Sequence, residues 1–384
     1  MKKRIGALLV LAAMLLGVLV IPVSAATVEI TAPSAILMDA ATGTILYEEN
    51  AHERLAPASV TKVMTLLLVM EAIDSGILSW DDTITASAAA AAKGGSQVYL
   101  EEGEQMSVRD MVKSVTVSSA NDCATALAEA ISGSETAFVE KMNERAQELG
   151  MTDTHFVNCT GLDDDPNAKE HLTSAYDIAV MSRELLKHDE IKEFTTIWMD
   201  SVRDGQFGLS NTNKLVRFYQ GTTGLKTGYT SAAGFCISAS AERDGMELIA
   251  VVLHCASSTD RFESAKALLD YGFANYGLVS AAPETPLPAV KVELGAVPVV
   301  QTVLREEQPI LVEKSVLQSV EREVTVQDTV QAPVEQGQRL GTIRLYSGEN
   351  TLAEVPLVAA EAVERLSWWD LACQYLRGIC GVSD

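Results

Sequence analysis

Pro57-Ala58-Ser59-Val60-Thr61-Lys62-Val63-Met64-Thr65 is the stretch on which the reading of this 384-residue chain turns. Pro57 and Ala58 precede an apolar, helix-forming run from about Ser59 to Ile73 that stops before Gly76. Ser59 and Lys62 stand three residues apart at its start, so helical spacing puts both side chains on one face, within reach of each other. A lysine amine takes a serine proton only when neutral, and burial or a neighbouring cation lowers its pKa enough to allow that. The positive field at a helix start favours developing negative charge. A capping serine with a solvated lysine one turn on would look the same. Ser-x-x-Lys arises about once per chain by chance at average composition, and it occurs once here.

Two further motifs each occur once. Ser119-Ala120-Asn121 brackets one residue, so a tight turn aims both polar side chains into a cleft. Ser119 can pass a proton there and Asn121 can hold a substrate amide; alone, the motif reads as a helix-breaking cap. Lys226-Thr227-Gly228 on a strand edge puts Lys226 and Gly228 on one face and Thr227 on the other. Gly228 lets a substrate backbone approach closely, Lys226 supplies positive charge and Thr227 a hydroxyl. Alone, it reads as a turn between Gly224 and Gly228.

The ordered set Ser-x-x-Lys, Ser-x-Asn, Lys-Thr-Gly resembles the signature of serine penicillin-binding proteins and class A β-lactamases over roughly residues 30–280. The surroundings narrow the resemblance to low-molecular-mass D-alanyl-D-alanine carboxypeptidases. They are residues 57–65, Gly150 to Asn158 followed by Gly161-Leu162, His171 to Ala179, Gly224 to Thr230, and Leu268 to Phe273. Cys159 departs from the family, which often has proline or another small residue there; a structural change alone is expected.

The resemblance implies an α+β fold. Its β-lactamase/transpeptidase-like domain is an antiparallel sheet with helices on both faces, followed by a small C-terminal β-rich domain. It also implies acyl transfer. Ser59 attacks the penultimate D-Ala carbonyl of a peptidoglycan stem peptide ending in D-Ala-D-Ala, with Lys62 as base and Ser119 as proton relay. The Ser59 and Tyr229 N–H groups form the oxyanion hole. Asn121, Lys226, Thr227, Gly228 and Arg261 bind substrate, and β-lactam antibiotics acylate the serine. Arg261 has a rival reading, a helix-cap ion pair with Asp260 or Glu263.

The rest of the chain frames this expectation. Lys2, Lys3 and Arg4, the uncharged run Ile5 to Ile21 and Val23-Ser24-Ala25 read as a signal peptide over residues 1–25, with an uncleaved anchor as the alternative. Export to the outer face of the cytoplasmic membrane or the cell wall follows. The net charge is −23; without the three leader cations, 26 bases face 52 acids, and the surface repels nucleic acid. No cofactor and no metal are expected, since the five histidines lack HExxH spacing and the six cysteines lack CxxC spacing. Each histidine reads as structural or surface. Cys236 and Cys255 read as buried thiols, with one disulfide between them as the alternative.

The catalytic domain is expected over 26–280. It should contain a hairpin at 34–50, helices over Val108–Val117, Cys123–Ile131, Thr136–Leu149, Ser174–Leu186 and Asp260–Tyr276, and a hairpin turning at Arg243-Asp244-Gly245. A β-rich domain follows over 281–358. The last segment, 359–384, shows helical periodicity from about Ala360 and carries Trp368 and Trp369, which suits a membrane surface or another protein. Rival functions are a β-lactamase, a D,D-endopeptidase and a non-catalytic penicillin-binding scaffold. The Glu-x-x-Leu-Asn segment of class A β-lactamases is absent, since no Leu-Asn pair occurs.

Overall fold

The computed structural model describes residues 28–164, 167–306 and 309–372. The expected leader, Cys373 and Cys380 lie outside them.

Largely buried runs build the central sheet. Strands β1 (Ser34–Asp39) and β2 (Ile45–Glu49) pair antiparallel as the expected hairpin. Asp39 Oδ1 accepts from the Thr42 N–H and hydroxyl across its turn. A short ribbon, β3 (Met199–Val202) with β4 (Phe207–Ser210), stands apart from the sheet. Strands β5 (Thr222–Thr230), β6 (Gly234–Arg243) and β7 (Met246–Cys255) complete it in the order β2-β1-β7-β6-β5, antiparallel throughout. Asp244 (φ 51°) and Gly245 (φ 77°) form the β6–β7 turn with both central residues left-handed, as a two-residue hairpin requires.

The helices are α1 (Lys62–Asp74), α2 (Val108–Ser118), α3 (Asn121–Ser132), α4 (Glu135–Glu148), α5 (Ala175–Leu186) and α6 (Ser258–Asn275). Serines 107, 134, 174 and 257 cap α2, α4, α5 and α6 by accepting a backbone N–H three residues on; each such cap contributes about 1 kcal/mol. Both sheet faces are covered. Leu37, Ile237 and Val252 pack on Leu268 and Leu269 of α6. Ile36, Met38 and Val251 pack on Val63 and Met64 of α1 and Ile178 and Met181 of α5. Strands buried on both faces read as continuous apolar runs, which β1 and β7 are. At about 1.5–3 kcal/mol per fully buried aliphatic side chain, these two layers dominate stability. The sheet leaves one edge of β5 unpaired, and the site forms against that edge.

After α6 the chain enters strand Tyr276–Val279, which pairs with Ile310–Glu313 and ties the β-rich module to the helix. Within the module, strands 302–304, 350–359, 339–347 and 321–326 form one sheet, and 299–300, 290–293 and 329–331 another. Val290, Val334, Leu340 and Val363 fill one small core and Ile343, Leu345 and Leu357 a second.

The C-terminal segment differs from expectation. The strand Asn350–Ala359 runs through the expected boundary, and Val363 and Arg365 then bridge to Val334 and Gly295. Residues 360–366 are therefore an edge of the module, and helix starts only at residue 368. Val363, almost fully buried, is the physical reason: its apolar side chain serves the β core, not a helical stripe. Trp368 and Trp369 are 89% and 77% exposed. Among the described residues no helix is long and apolar enough to cross a membrane.

Candidate active site

The expected helix start is a tighter turn. Ala58–Thr61 is 3-10, and α1 begins at Lys62. Ala58 is left-handed (φ 49°), and this swings Ser59 out of the core while Val60, Thr61 and Lys62 stay buried. Lys62 Nζ lies 3.0 Å from Ser59 Oγ and donates to the Thr160 carbonyl at 2.8 Å. The Lys62 side chain is completely buried. Burial lowers its pKa from 10.5 to about 7, against an upward pull from the buried Asp122 carboxylate. An amine at that pKa is half neutral near pH 7.

The segment 157–161 forms the floor. Thr65 Oγ1 donates to the Cys159 carbonyl. Gly161 (φ 81°) presses so closely on the turn that carries Ser59 that a Cβ there would fall 1.8 Å from the Ala58 carbonyl oxygen. Cys159 is fully buried, and its thiol reaches Glu135 Oε1 at 3.2 Å.

Ser119 ends α2 in the left-handed region (φ 62°), and Asn121 opens α3. Both side chains are buried, and Ser119 Oγ and Asn121 Oδ1 have no hydrogen-bond partner among the described residues. Buried polar atoms are normally paired, so these two are poised for an added group. Asn121 Nδ2 donates to the Gly94 carbonyl (2.6 Å) and its backbone N–H to Ser96 O (2.7 Å). Asp122 accepts from the Val98 and Leu100 N–H groups. Together they hang the 94–100 loop on the Ser-x-Asn turn.

The third side is β5. Lys226 is 1% exposed, and burial first, then Lys62 and Arg261, hold its amine well below the usual lysine range. Thr227 Oγ1 donates to Thr212 Oγ1 at 2.7 Å. A Cβ on Gly228 would lie 2.6 Å from Pro57 O and 3.1 Å from Ser59 N. The sheet edge therefore passes directly over the Ser59 amide. Tyr229 is 56% exposed, its ring 4.3 Å from that of Phe235.

Arg261 makes neither ion pair of its rival reading. Its Nη1 donates to the carbonyls of Gly228 (2.9 Å) and Cys236 (3.3 Å), and its guanidinium lies over Phe235 and Phe262. Burial lowers its pKa to about 10. It braces the strand edge from behind. Cys236 and Cys255 are buried free thiols. No group of three or more His, Cys, Asp or Glu able to hold a metal occurs among the described residues.

Sequence reasoning missed the backbone partners, chiefly Thr160 O, Gly94 O and Ser96 O, and the side chain of Thr212. A carbonyl leaves no mark in residue identity. It also missed Asp122, although the acid directly follows Ser-x-Asn.

A sheet edge, a helix-start lysine and a Ser-x-Asn turn meeting beside one serine, with a β-rich module appended, define a protein of the transpeptidase/β-lactamase fold. Two family models match in tandem: D-alanyl-D-alanine carboxypeptidase over residues 21–257 and the C-terminal domain of penicillin-binding protein 5 over 284–365. The chain is 42% identical over 339 residues to the D-alanyl-D-alanine carboxypeptidase DacF of Bacillus subtilis, covering 87% of this chain and 86% of that one. The solved penicillin-binding protein 5 of Haemophilus influenzae superposes with a TM-score of 0.76 at 30% identity, over 88% of this chain and 98% of that one. Penicillin-binding protein D2 of Listeria monocytogenes, solved in an ampicillin-bound form, superposes with a TM-score of 0.59 at 33% identity over 64% of this chain and 99% of that one. The chain belongs to the D-alanyl-D-alanine carboxypeptidase family, and its expected fold class stands.

Proposed function

We propose that this protein is a serine-type D-Ala-D-Ala carboxypeptidase that trims the terminal D-Ala from peptidoglycan stem peptides. The observation that carries the reading is the fully buried Lys62 amine 3.0 Å from Ser59 Oγ. Neutral Lys62 takes the hydroxyl proton as Ser59 Oγ attacks the penultimate D-Ala carbonyl. The carbonyl oxygen becomes an oxyanion held by the Ser59 and Tyr229 N–H groups, each such donor contributing about 3 kcal/mol. Collapse breaks the peptide C–N bond, and the leaving amine of D-Ala takes a proton through Ser119. Water then attacks the ester and gives one proton to Lys62, which passes it to Ser59 Oγ as the ester C–O bond breaks, releasing the shortened peptide and restoring the serine hydroxyl and neutral Lys62.

Asn121 and the β5 edge orient the substrate backbone. Lys226 and Thr227 seat the terminal carboxylate. Arg261 contributes through the Gly228 carbonyl it holds. A β-lactam likewise presents an amide carbonyl with a carboxylate nearby, so it acylates Ser59 too, as the ampicillin-bound relative suggests. The N-terminal run supports export to the outer face of the membrane or the wall, and the exposed Trp368 and Trp369 support contact with a membrane surface.

Incubation with diacetyl-Lys-D-Ala-D-Ala should release D-Ala, and fluorescent penicillin should label Ser59. Absence of label at Ser59 would sink the reading. Rapid, repeated hydrolysis of benzylpenicillin would transfer it to the β-lactamases, and products from cross-linked muropeptides alone would make it an endopeptidase.

A further inference from the structure

Of the histidines, His171 is the one buried beside the nucleophile turn, at 4% exposure. Its ring edge meets Phe156 in a T-shaped contact. The backbone that follows it is fixed, since Leu172 bridges to His155 and Thr173 to Leu55, just upstream of Ser59.

The hydrogen bonds assign its tautomer. The Val157 N–H points at Nδ1 (3.0 Å), so Nδ1 accepts. The proton of the neutral ring therefore sits on Nε2. Nε2 lies 2.8 Å from Thr61 Oγ1, and the Thr61 hydroxyl spends its own proton on the Ala58 carbonyl, also at 2.8 Å. Thr61 Oγ1 must then accept from His171. The result is a directed chain: Val157 N–H to His171, His171 to Thr61, Thr61 to the carbonyl of the residue before Ser59.

That carbonyl belongs to Ala58, the left-handed alanine that turns Ser59 toward Lys62. L-residues with a Cβ hold this conformation only where surroundings enforce it. The same segment that feeds His171 through Val157 also receives Lys62 through the Thr160 carbonyl. One stretch, 157–160, thus fixes both the base and the backbone under the nucleophile.

We propose that His171 is a positioning residue for acyl transfer: as the Nε2–H tautomer it locks Thr61 onto the Ala58 carbonyl and so sets the direction of Ser59 Oγ and of its amide. The proposal rests on Ser59 being the nucleophile.

The test measures the second-order rate of labelling by fluorescent penicillin on the full chain, together with melting temperature. Asparagine places an acceptor where Nδ1 is and no donor at Nε2. His171→Asn should slow acylation about tenfold, the scale of one lost buried hydrogen bond. Glutamine can return an N–H to Thr61, and His171→Gln should recover to within about threefold of the parent. Thr61→Val, nearly isosteric, should match His171→Asn. The double variant should be no slower than either single one, because both cut one chain. A purely structural histidine would lower the melting temperature in Asn and Gln variants without this split. The proposal fails if His171→Gln is as slow as His171→Asn, or if Thr61→Val acylates at the parental rate. Thr61→Val decides the matter alone should the histidine variants not fold. Failure of the parent protein to label Ser59 would instead overturn the carboxypeptidase reading.

Discussion

Titration of the acylation rate tests the site most directly. An ordinary lysine, with a pKa of 10.5, is neutral in about one molecule in three thousand at pH 7. Burial of Lys62 brings that value to about 7, so about half the amines are neutral at the same pH. Only the neutral amine takes the Ser59 proton. The rate of labelling by fluorescent penicillin should therefore be half-maximal at about pH 7 and flat above it. Below, it should fall about tenfold per pH unit, to roughly one hundredth of the plateau at about pH 5. Lys62→Arg supplies the control: a guanidinium keeps the charge and does not deprotonate, so that variant should lose both the rate and the acid limb. A rate constant within about twofold between pH 5.5 and 8.5 would refute the assignment of Lys62 as base. Substantial acylation by Lys62→Arg would do so as well.

Other outcomes follow from the same geometry. Lys62 has a folded pKa below its unfolded one, so its burial costs stability fully below about pH 7, and the cost fades as pH rises toward 10.5. Lys62→Met should therefore melt above the parent at pH 6, with the gap shrinking by pH 9; a gap that widens with pH contradicts the burial account. Gly228→Ala would push a methyl into Pro57 O and the Ser59 amide; penicillin labelling should drop more than about a hundredfold, and a variant that labels normally disproves the contact. Arg261→Leu removes the brace on Gly228 O; kcat/KM for a D-Ala-D-Ala peptide should fall about tenfold or more, and parental kinetics would show that the strand edge stands unaided. Cys123, Cys159, Cys236 and Cys255 should resist alkylation in the native protein and react on unfolding, a mass-spectrometric result that a Cys236–Cys255 disulfide would prevent.

Much of this was legible in the sequence because the signals were local. Asp244-Gly245 announced its hairpin through backbone preference, and the helices expected over 108–117, 136–149, 174–186 and 260–276 lie close to the observed ones. Helical and strand spacing put Ser59 with Lys62, and Lys226 with Gly228, on common faces, and the ordered set of three motifs with its family resemblance supplied their expected roles. The remainder depended on contacts distant along the chain. Ala58 carries no sign of a left-handed conformation, because Gly161 and Thr61, packed on its carbonyl, impose it. The ion pair offered as the rival reading of Arg261 was sensible by spacing, but burial against Phe235 and two carbonyls wins over solvent-facing carboxylates. The C-terminal helix was placed too early because Val363 fits an amphipathic stripe as well as a β core; only the core's position decides between them.

The floor of the site is written in main-chain atoms. Lys62 is received by whatever residue occupies position 160, Thr65 by whatever occupies 159, and His171 by whatever occupies 157. The Val157 side chain is thus free to change while the atoms that matter stay put, whereas Cys159 and Thr160 are buried and hydrogen-bonded to Glu135 and Asn158. The adjoining glycine has no such freedom. An engineer seeking tolerance to substitution should look to 157, and leave 161 alone.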